Sequence, residues 1–272
     1  VKFERILAAI DFSPSSRAVV RWARRAAAER GAIRLLHVID TTVLADAIRP
    51  AKVLDAQEAL EQEALRALES LARAEGDDER ITLEVAFGEP AEAIIALSKK
   101  EDLVVEGVRA KGLAEHWALG SVAEEVALAS PVPTLVAREP EGDGRPERVI
   151  ALVDLSAPSI EALRVARDLE RRFGARLTPL HVVESKESIP EATRVLDAFV
   201  RGAIDAEVPV EVVAGSAPTE ILARATPRDL VVCGTHGRRQ TGVLVLGSVA
   251  AKTIRHAPCP VVVVRPGEAR AA

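Results

Sequence analysis

Five short blocks occur twice in this chain, in the same order, and that doubling restricts the fold more than any other feature. Arg5-Ile-Leu-Ala-Ala-Ile-Asp11 matches Arg148-Val-Ile-Ala-Leu-Val-Asp154, and Leu36-His-Val-Ile-Asp40 matches Leu180-His-Val-Val-Glu184. Asp102-Leu-Val-Val-Glu-Gly107 matches Asp229-Leu-Val-Val-Cys-Gly234, Gly120-Ser-Val-Ala123 matches Gly247-Ser-Val-Ala250, and Pro131-Val-Pro133 matches Pro258-Cys-Pro260. The chain reads as a tandem duplication of one domain of ordinary size. Residues 1–138 are expected to form the first copy and 147–268 the second. Between them Glu139-Pro-Glu-Gly-Asp-Gly-Arg-Pro146 is rich in Pro, Gly and charge and reads as a linker.

Each copy alternates strand and helix signals. In the first, apolar runs at Ile6–Ile10, Ile33–Ile39, Ile81–Ala86, Leu103–Val105 and Thr134–Ala137 read as buried strands. Helical patterns fill Pro14–Arg30, Lys52–Glu75, Pro90–Lys99 and Ser121–Ala129. Pro14 and Pro90 suit first-turn positions, and Gly31 suits the end of the first helix. The matched Asp pair is offset by 143 residues and the matched Gly107/Gly234 pair by 127, so the second copy is the shorter. The loss falls between His181 and Glu207, where Glu191–Arg201 stands against the longer Leu-rich helix around Leu54, Leu60, Leu65, Leu68 and Leu71. Continuous Val/Ile/Leu strands joined through helices predict a parallel sheet covered on both faces. Such sheets bind ligands beyond the carboxyl ends of their strands. Asp11, Asp154 and the glycine-bearing loops fall at those ends.

The second copy carries Gly234-Thr235-His236-Gly237 and, after nine intervening residues, Gly247-Ser248. Glycines allow backbone to approach an anion closely, and a helix opening at Ser248 would present free N–H groups to it. The strand Asp229–Cys233 before the loop gives the pattern its strand–loop–helix context. An ordinary tight loop is the bland alternative.

Composition narrows the rest. A net charge of −5 does not favour a nucleic-acid groove, so no nucleic-acid partner is expected. No apolar run approaches 18 residues and no charged-then-apolar leader precedes the first strand, so neither membrane span nor signal peptide is expected. Cys233 and Cys259 sit in strand-like runs and read as buried small hydrophobes of a cytoplasmic protein. Arg21, Arg24 and Arg25 read as a solvated helix face. The five histidines show no metal-ligand spacing, and no protein-held metal is expected. His37 and His181 read as packing or strand-end residues.

With these blocks in view, the chain resembles a tandem universal stress protein of the nucleotide-binding type. Gly234, Gly237, Gly247 and Ser248 satisfy that family's G-x2-G-x9-G-[S/T] signature, and Ile10-Asp11-Phe12-Ser13, Leu35–Ile39 and His256–Val264 also resemble it. The resemblance implies an α/β fold of two open five-stranded parallel sheets, each in the order 3-2-1-4-5 with helices on both faces. It also implies that the short final strands, Pro133–Ala137 and Pro260–Val264, pair antiparallel within the chain as a pseudo-dimer. A further homodimer is left open.

For the second half the resemblance implies a nucleotide, ATP or else ADP or AMP, with Mg²⁺ carried by its phosphates. Asp154 would sit at the base and ribose, with Val153 and Val182 flanking the adenine. Asp154 read alone is equally a strand-end carboxylate bonding local N–H groups, and valines in strands are core by default. Cys233 would line the pocket. Gly234, His236 and Gly237 would offer backbone N–H groups to ribose and phosphates, and Gly247, Ser248 and Val249 would bind phosphates. His236 lacks any visible partner for general-base work. No catalytic residue is assigned.

The first half departs from the signature. In Gly107-Val-Arg-Ala110, Ala stands where the second glycine belongs, although nine residues still separate it from Gly120-Ser121. If that position needs φ > 0, Ala is strained by roughly 1 kcal/mol. Glu106 replaces Cys233 and would repel an anionic ligand, or bond a ribose hydroxyl, while Arg109 would offset some of the repulsion. The first half is expected to bind nucleotide poorly or not at all.

The leading functional expectation is a regulatory nucleotide-binding stress protein, with at most slow ATP hydrolysis or autophosphorylation. No G-x4-G-K-[S/T] loop or arginine finger supports more. The alternatives are a nucleotide-independent dimeric scaffold and a nucleotidyl-transfer enzyme of related architecture, whose HIGH-type or SGG-x-D-S-type loops are missing. The sequence names neither the stress nor the signalling partner.

Overall fold

The computed structural model describes residues 3–41, 53–110, 117–118, 120–139, 144–235 and 246–265. The first half runs β1 (Arg5–Ala9), α1 (Ser16–Ala26), β2 (Ala32–Asp40), α2 (Val53–Ala74), β3 (Ile81–Gly88), α3 (Pro90–Ser98) and β4 (Leu103–Gly107). A small antiparallel ladder of β5 (Arg109–Ala110) and β6 (Trp117–Ala118) follows, then α4 (Ser121–Ala129) and β7 (Thr134–Ala137). The second half repeats the order as β8 (Arg148–Leu152), α5 (Ala157–Phe173), β9 (Arg176–Val183), a 3₁₀ turn (Lys186–Ser188) and α6 (Ile189–Ile204). It continues with β10 (Glu211–Ala214), α7 (Ala217–Arg224), β11 (Asp229–Gly234), α8 (Ser248–His256) and β12 (Val261–Val264).

Ten strands form one sheet in the order β10-β9-β8-β11-β12-β7-β4-β1-β2-β3. Each half has the order 3-2-1-4-5 with parallel neighbours, as the resemblance implied. The halves join where β12 and β7 pair antiparallel, Val262 opposite Leu135. This removes the two apolar edges that each half alone would expose. Ile6, Leu7 and Ala8 of β1 are all fully buried, because helices cover both faces of the sheet. One face carries α1, α2, α5 and α6 over a core that crosses the junction through Leu135, Ala137, Val262 and Val264. The other face carries α3, α4, α7 and α8.

Further bonds tie the halves. Arg138 Nη2 of the first half donates to the Ile254 carbonyl of the second at 2.6 Å, and the Arg138 carbonyl is itself held by Trp22 Nε1 of α1 at 2.8 Å. The Trp22 ring meets Phe173 of α5 edge-on, with centroids 5.9 Å apart. Arg255 pairs with Glu124 at 2.9 Å.

The structure corrects four local expectations. Helix α1 starts at Ser16 with Ser15 as N-cap, so Pro14 precedes its first turn, whereas Pro90 does open α3. Gly31 lies beyond the end of α1; an added Cβ would stand 3.0 Å from Phe3 O and Ala28 N, so the glycine serves a close backbone approach. Arg21, Arg24 and Arg25 do not form a merely solvated face. Arg21 pairs with Glu75 at 2.5 Å and with Glu139, Arg24 pairs with Asp78 at 3.1 Å, and Arg25 stacks 5.9 Å over Trp22. The shortened second-half helix is also longer than Glu191–Arg201, running Ile189–Ile204.

Candidate functional site

Both halves place a cavity at the carboxyl ends of their strands, where the strand order reverses and the backbone must diverge. The second-half cavity has a volume of about 610 Å³. Val153 and Asp154 follow β8, His181 and Val182 end β9, Cys233 and Gly234 end β11, and Gly247, Ser248 and Val249 open α8; all line this one cavity. Eight of the ten residues expected from the sequence are therefore brought together. His236 and Gly237 lie outside the described residues.

Asp154 is held in place locally. Its Oδ1 accepts from Ser156 N at 3.1 Å, from Ser156 Oγ, and from Ser159 Oγ at 2.5 Å. The strand-end role is thus real, and the residue still lines the cavity. The same turn recurs in the first half, where Asp11 Oδ1 accepts from Ser13 N at 3.0 Å and Ser16 Oγ at 3.2 Å. The turn puts the intervening residue at positive φ in both copies, Phe12 at 57° and Leu155 at 63°. The repeated D-x-S-x-x-S spacing was readable in the sequence and would have found Ser159.

His181 does more than pack. Its Nδ1 lies 2.7 Å from the Val153 carbonyl, and His37 Nδ1 lies 2.8 Å from the Ile10 carbonyl. A carbonyl only accepts, so Nδ1 carries the proton, and in the neutral ring Nε2 is left as an acceptor. Both histidines line their cavities.

Helix α8 has Gly247 as N-cap and no side-chain cap. The Gly247 N–H donates to the Thr235 carbonyl at 2.9 Å, while Gly247 itself lines the cavity. The first-turn N–H groups of Ser248, Val249 and Ala250 have no partner within the helix and carry the positive end of its dipole. Thr235, fully buried, donates its N–H to Val264 O at 3.0 Å and locks the loop onto β12. Burial pushes the Cys233 thiol up to about 12, so it is an inert lining group rather than a nucleophile. Cys259 is likewise free, buried and pushed up to about 12.

The first-half cavity, about 410 Å³, is built from the equivalent positions Asp11, His37, Asp40, Gly107, Gly120 and Ser121. A buried carboxyl sets it apart. Glu106 stands where Cys233 stands in the other half, is 3 % exposed, and its burial raises its pKa well above the usual glutamate value. Val108 replaces Thr235. Gly107 has a structural reason of its own, since a Cβ there would fall 2.3 Å from Ser15 Oγ. Ala110 pairs with Trp117 in an extended ladder, so the left-handed strain considered for it does not arise.

The paired Asp102 and Asp229 of the repeat lie at the opposite end of the sheet. Asp102 accepts from Glu4 N and Arg5 N at 3.0 and 2.9 Å, and Asp229 pairs with Arg148 at 2.8 Å. These repeated residues clamp strands and line neither cavity. Among the described residues, no group of three His, Cys, Asp or Glu could hold a metal ion, and no helix is long and apolar enough to cross a membrane.

The model of the universal stress protein family matches residues 2–138 and again 186–265. A universal stress protein of Mycolicibacterium smegmatis is 31% identical over 284 residues, spanning 96% of this chain and 97% of that protein. One from Mycobacterium tuberculosis is 27% identical over 301 residues, spanning 96% and 94%. The crystal structure of a universal stress protein from Archaeoglobus fulgidus superposes with a TM-score of 0.73 at 27% identity, covering 98% of both chains. Doubled within one chain and alike over nearly its whole length, this fold and sequence place the protein in the universal stress protein family.

Proposed function

We propose that the second-half cavity binds a nucleotide, ATP or its ADP or AMP products, and that the protein is a nucleotide-dependent regulator of the stress response. The observation that carries this reading is the uncapped N-terminus of α8 opening into the same cavity as the ends of β8 and β9. Free N–H groups and a helix dipole suit phosphate. Asp154 and Glu184, at the other side, suit hydroxyl donors of a ribose rather than an anion. Val153 and Val182 supply apolar surface for the base, Cys233 and Gly234 the floor, and Ser248 and Val249 the phosphate contacts. Mg²⁺ would arrive with the phosphates and neutralise part of their charge. His236 and Gly237 complete the loop in this proposal. The chain divides as 1–138, linker 139–146 and 147–268, and a cytoplasmic location accords with two free, buried thiols. Turnover stays below about one per second, the low end of typical enzymes.

A thermal-unfolding series tests the reading. Mg-ATP at 100 times its dissociation constant should stabilise nucleotide-stripped protein by about 2.7 kcal/mol. No shift at millimolar Mg-ATP would favour the second reading, a nucleotide-independent scaffold. That alternative rests on the β7–β12 junction, which is built without either cavity.

A further inference from the structure

The first-half cavity holds a feature that neither packing nor nucleotide binding uses. Glu106, on the face of β4 toward α3 and α4, lines the cavity while being 3 % exposed. Its Oε1 is buried without a hydrogen-bond partner among the described residues. A buried polar atom left unpaired costs free energy that the neighbouring half avoids with Cys233. Such an atom is retained at a cost unless something supplies its missing donor.

The remaining described lining sets the donor's character. Asp11 and Asp40 are carboxylates, His37 presents its Nε2 acceptor when neutral, and no Lys or Arg is among the described lining residues. The rest is the N-terminus of α4 at Gly120–Ala123, which has no side-chain cap, and aliphatic surface with Ile10, Val38 and Ile94 among it. The second-half cavity shares this lining except that Cys233 stands in place of Glu106, so the buried carboxyl is what turns the first-half cavity toward a cation with a hydrocarbon body. At about 410 Å³ the cavity falls in the size range of small-molecule sites.

We propose that the first-half cavity is a binding site for a small organic ammonium ligand, with Glu106 as its buried counter-ion. The N–H groups of the ammonium complete Glu106, and the methylene body lies along Ile10, Val38 and Ile94. Glu106 is protonated in the empty pocket, where burial disfavours its charge, and it ionises against the incoming cation. One proton then leaves to solvent for each ligand bound. The other titratable groups of the lining are Asp11, His37 and Asp40. This site is independent of the nucleotide reading.

The test is calorimetric titration of the intact chain with 1,4-diaminobutane, with and without saturating Mg-ATP, and with 1,4-butanediol as the uncharged control. The expected result is one diamine per chain, unaffected by Mg-ATP, with the diol at least tenfold weaker. Repeating it in two buffers of different ionisation enthalpy should show about one proton released. Glu106→Gln and Glu106→Cys should each weaken the diamine at least tenfold and abolish the proton release. Glu106→Cys installs the residue of the other half, so folding is not at risk. No diamine binding, equal binding by the diol, or undiminished binding by both variants would overturn the proposal.

Discussion

The two halves share a frame and differ in a handful of side chains, and the contrast separates what builds this fold from what equips it. Strand order, the Asp-Ser turn, the histidine-to-carbonyl bond and the glycine-capped helix recur in both. The cavities nevertheless differ in character. Cys233 and Thr235 of the second half become Glu106 and Val108 in the first, and a neutral floor becomes a buried carboxyl. A glycine common to both can mislead, because Gly107 is required by Ser15 whether or not a ligand binds.

The largest effect should come from breaking what the halves hold in common. Val262 is fully buried at the centre of the junction. Val262→Asp should cost about 4 kcal/mol by burying an unpaired charge, measured by urea unfolding. The same change at half-buried Val212 on the outer strand β10 should cost clearly less. Equal losses would show that the junction does not hold the halves together.

The next effect separates the cavities. Ser248→Asp puts a carboxylate among the α8 N–H groups, a position that favours helix stability while repelling phosphate. Mg-ATP affinity should fall at least 100-fold, about 2.7 kcal/mol, with the unfolding temperature maintained. Ser121→Asp in the first half should leave Mg-ATP binding unchanged. Comparable losses from both variants would place nucleotide in both halves.

Glu106→Cys should make the first half resemble the second and stabilise the protein by about 1–3 kcal/mol at neutral pH. Because the folded state raises the Glu106 pKa above its ordinary 4.5, the native protein holds a proton that the unfolded chain releases. Wild-type stability is therefore lost as pH rises above about 4.5, and the advantage of Glu106→Cys should widen over that range. A pH-independent difference would mean that Glu106 is not buried as described. Asp11, His37 and Asp40 share the cavity and are unchanged in the comparison.

The smallest effect concerns a brace in the first half, the Asp78–Arg80 pair. Hydrogen bonds from Arg80, helped by Arg24, hold Asp78 down to about 2. Asp78→Asn should cost about 1 kcal/mol above the ordinary aspartate value of 3.8. The deficit should vanish as pH falls through about 2, where wild-type Asp78 also becomes neutral. A deficit unchanged at low pH would remove the ion pair from the explanation.

The sequence disclosed the frame well because buried parallel strands are continuous apolar runs, and duplication displayed each run twice. Thr134–Ala137 and Ser121–Ala129 were read to the residue. The strand order came through the family resemblance, since periodicity carries no pairing information. Long-range partners were the main loss: Arg21 and Arg24 looked solvated because Glu75 and Asp78 lie more than fifty residues away. Gly31 looked like a helix end because its reason, the Phe3 carbonyl, lies on a different element far back in the chain. At the site, residue types were legible but backbone bonds were not. Only the structure shows that the Gly247 N–H is engaged by Thr235. It also shows Glu106 buried, with its Oε1 lacking a hydrogen-bond partner among the described residues, where the sequence suggested repulsion of an anion or a bond to a ribose hydroxyl.

The most direct test of the contrast is the stoichiometry of Mg-ATP binding to nucleotide-stripped protein, measured by calorimetry on the intact chain and on Ser248→Asp. The account predicts one site per chain in the wild type and none in the variant. Two sites per chain, or binding that survives Ser248→Asp, would contradict it.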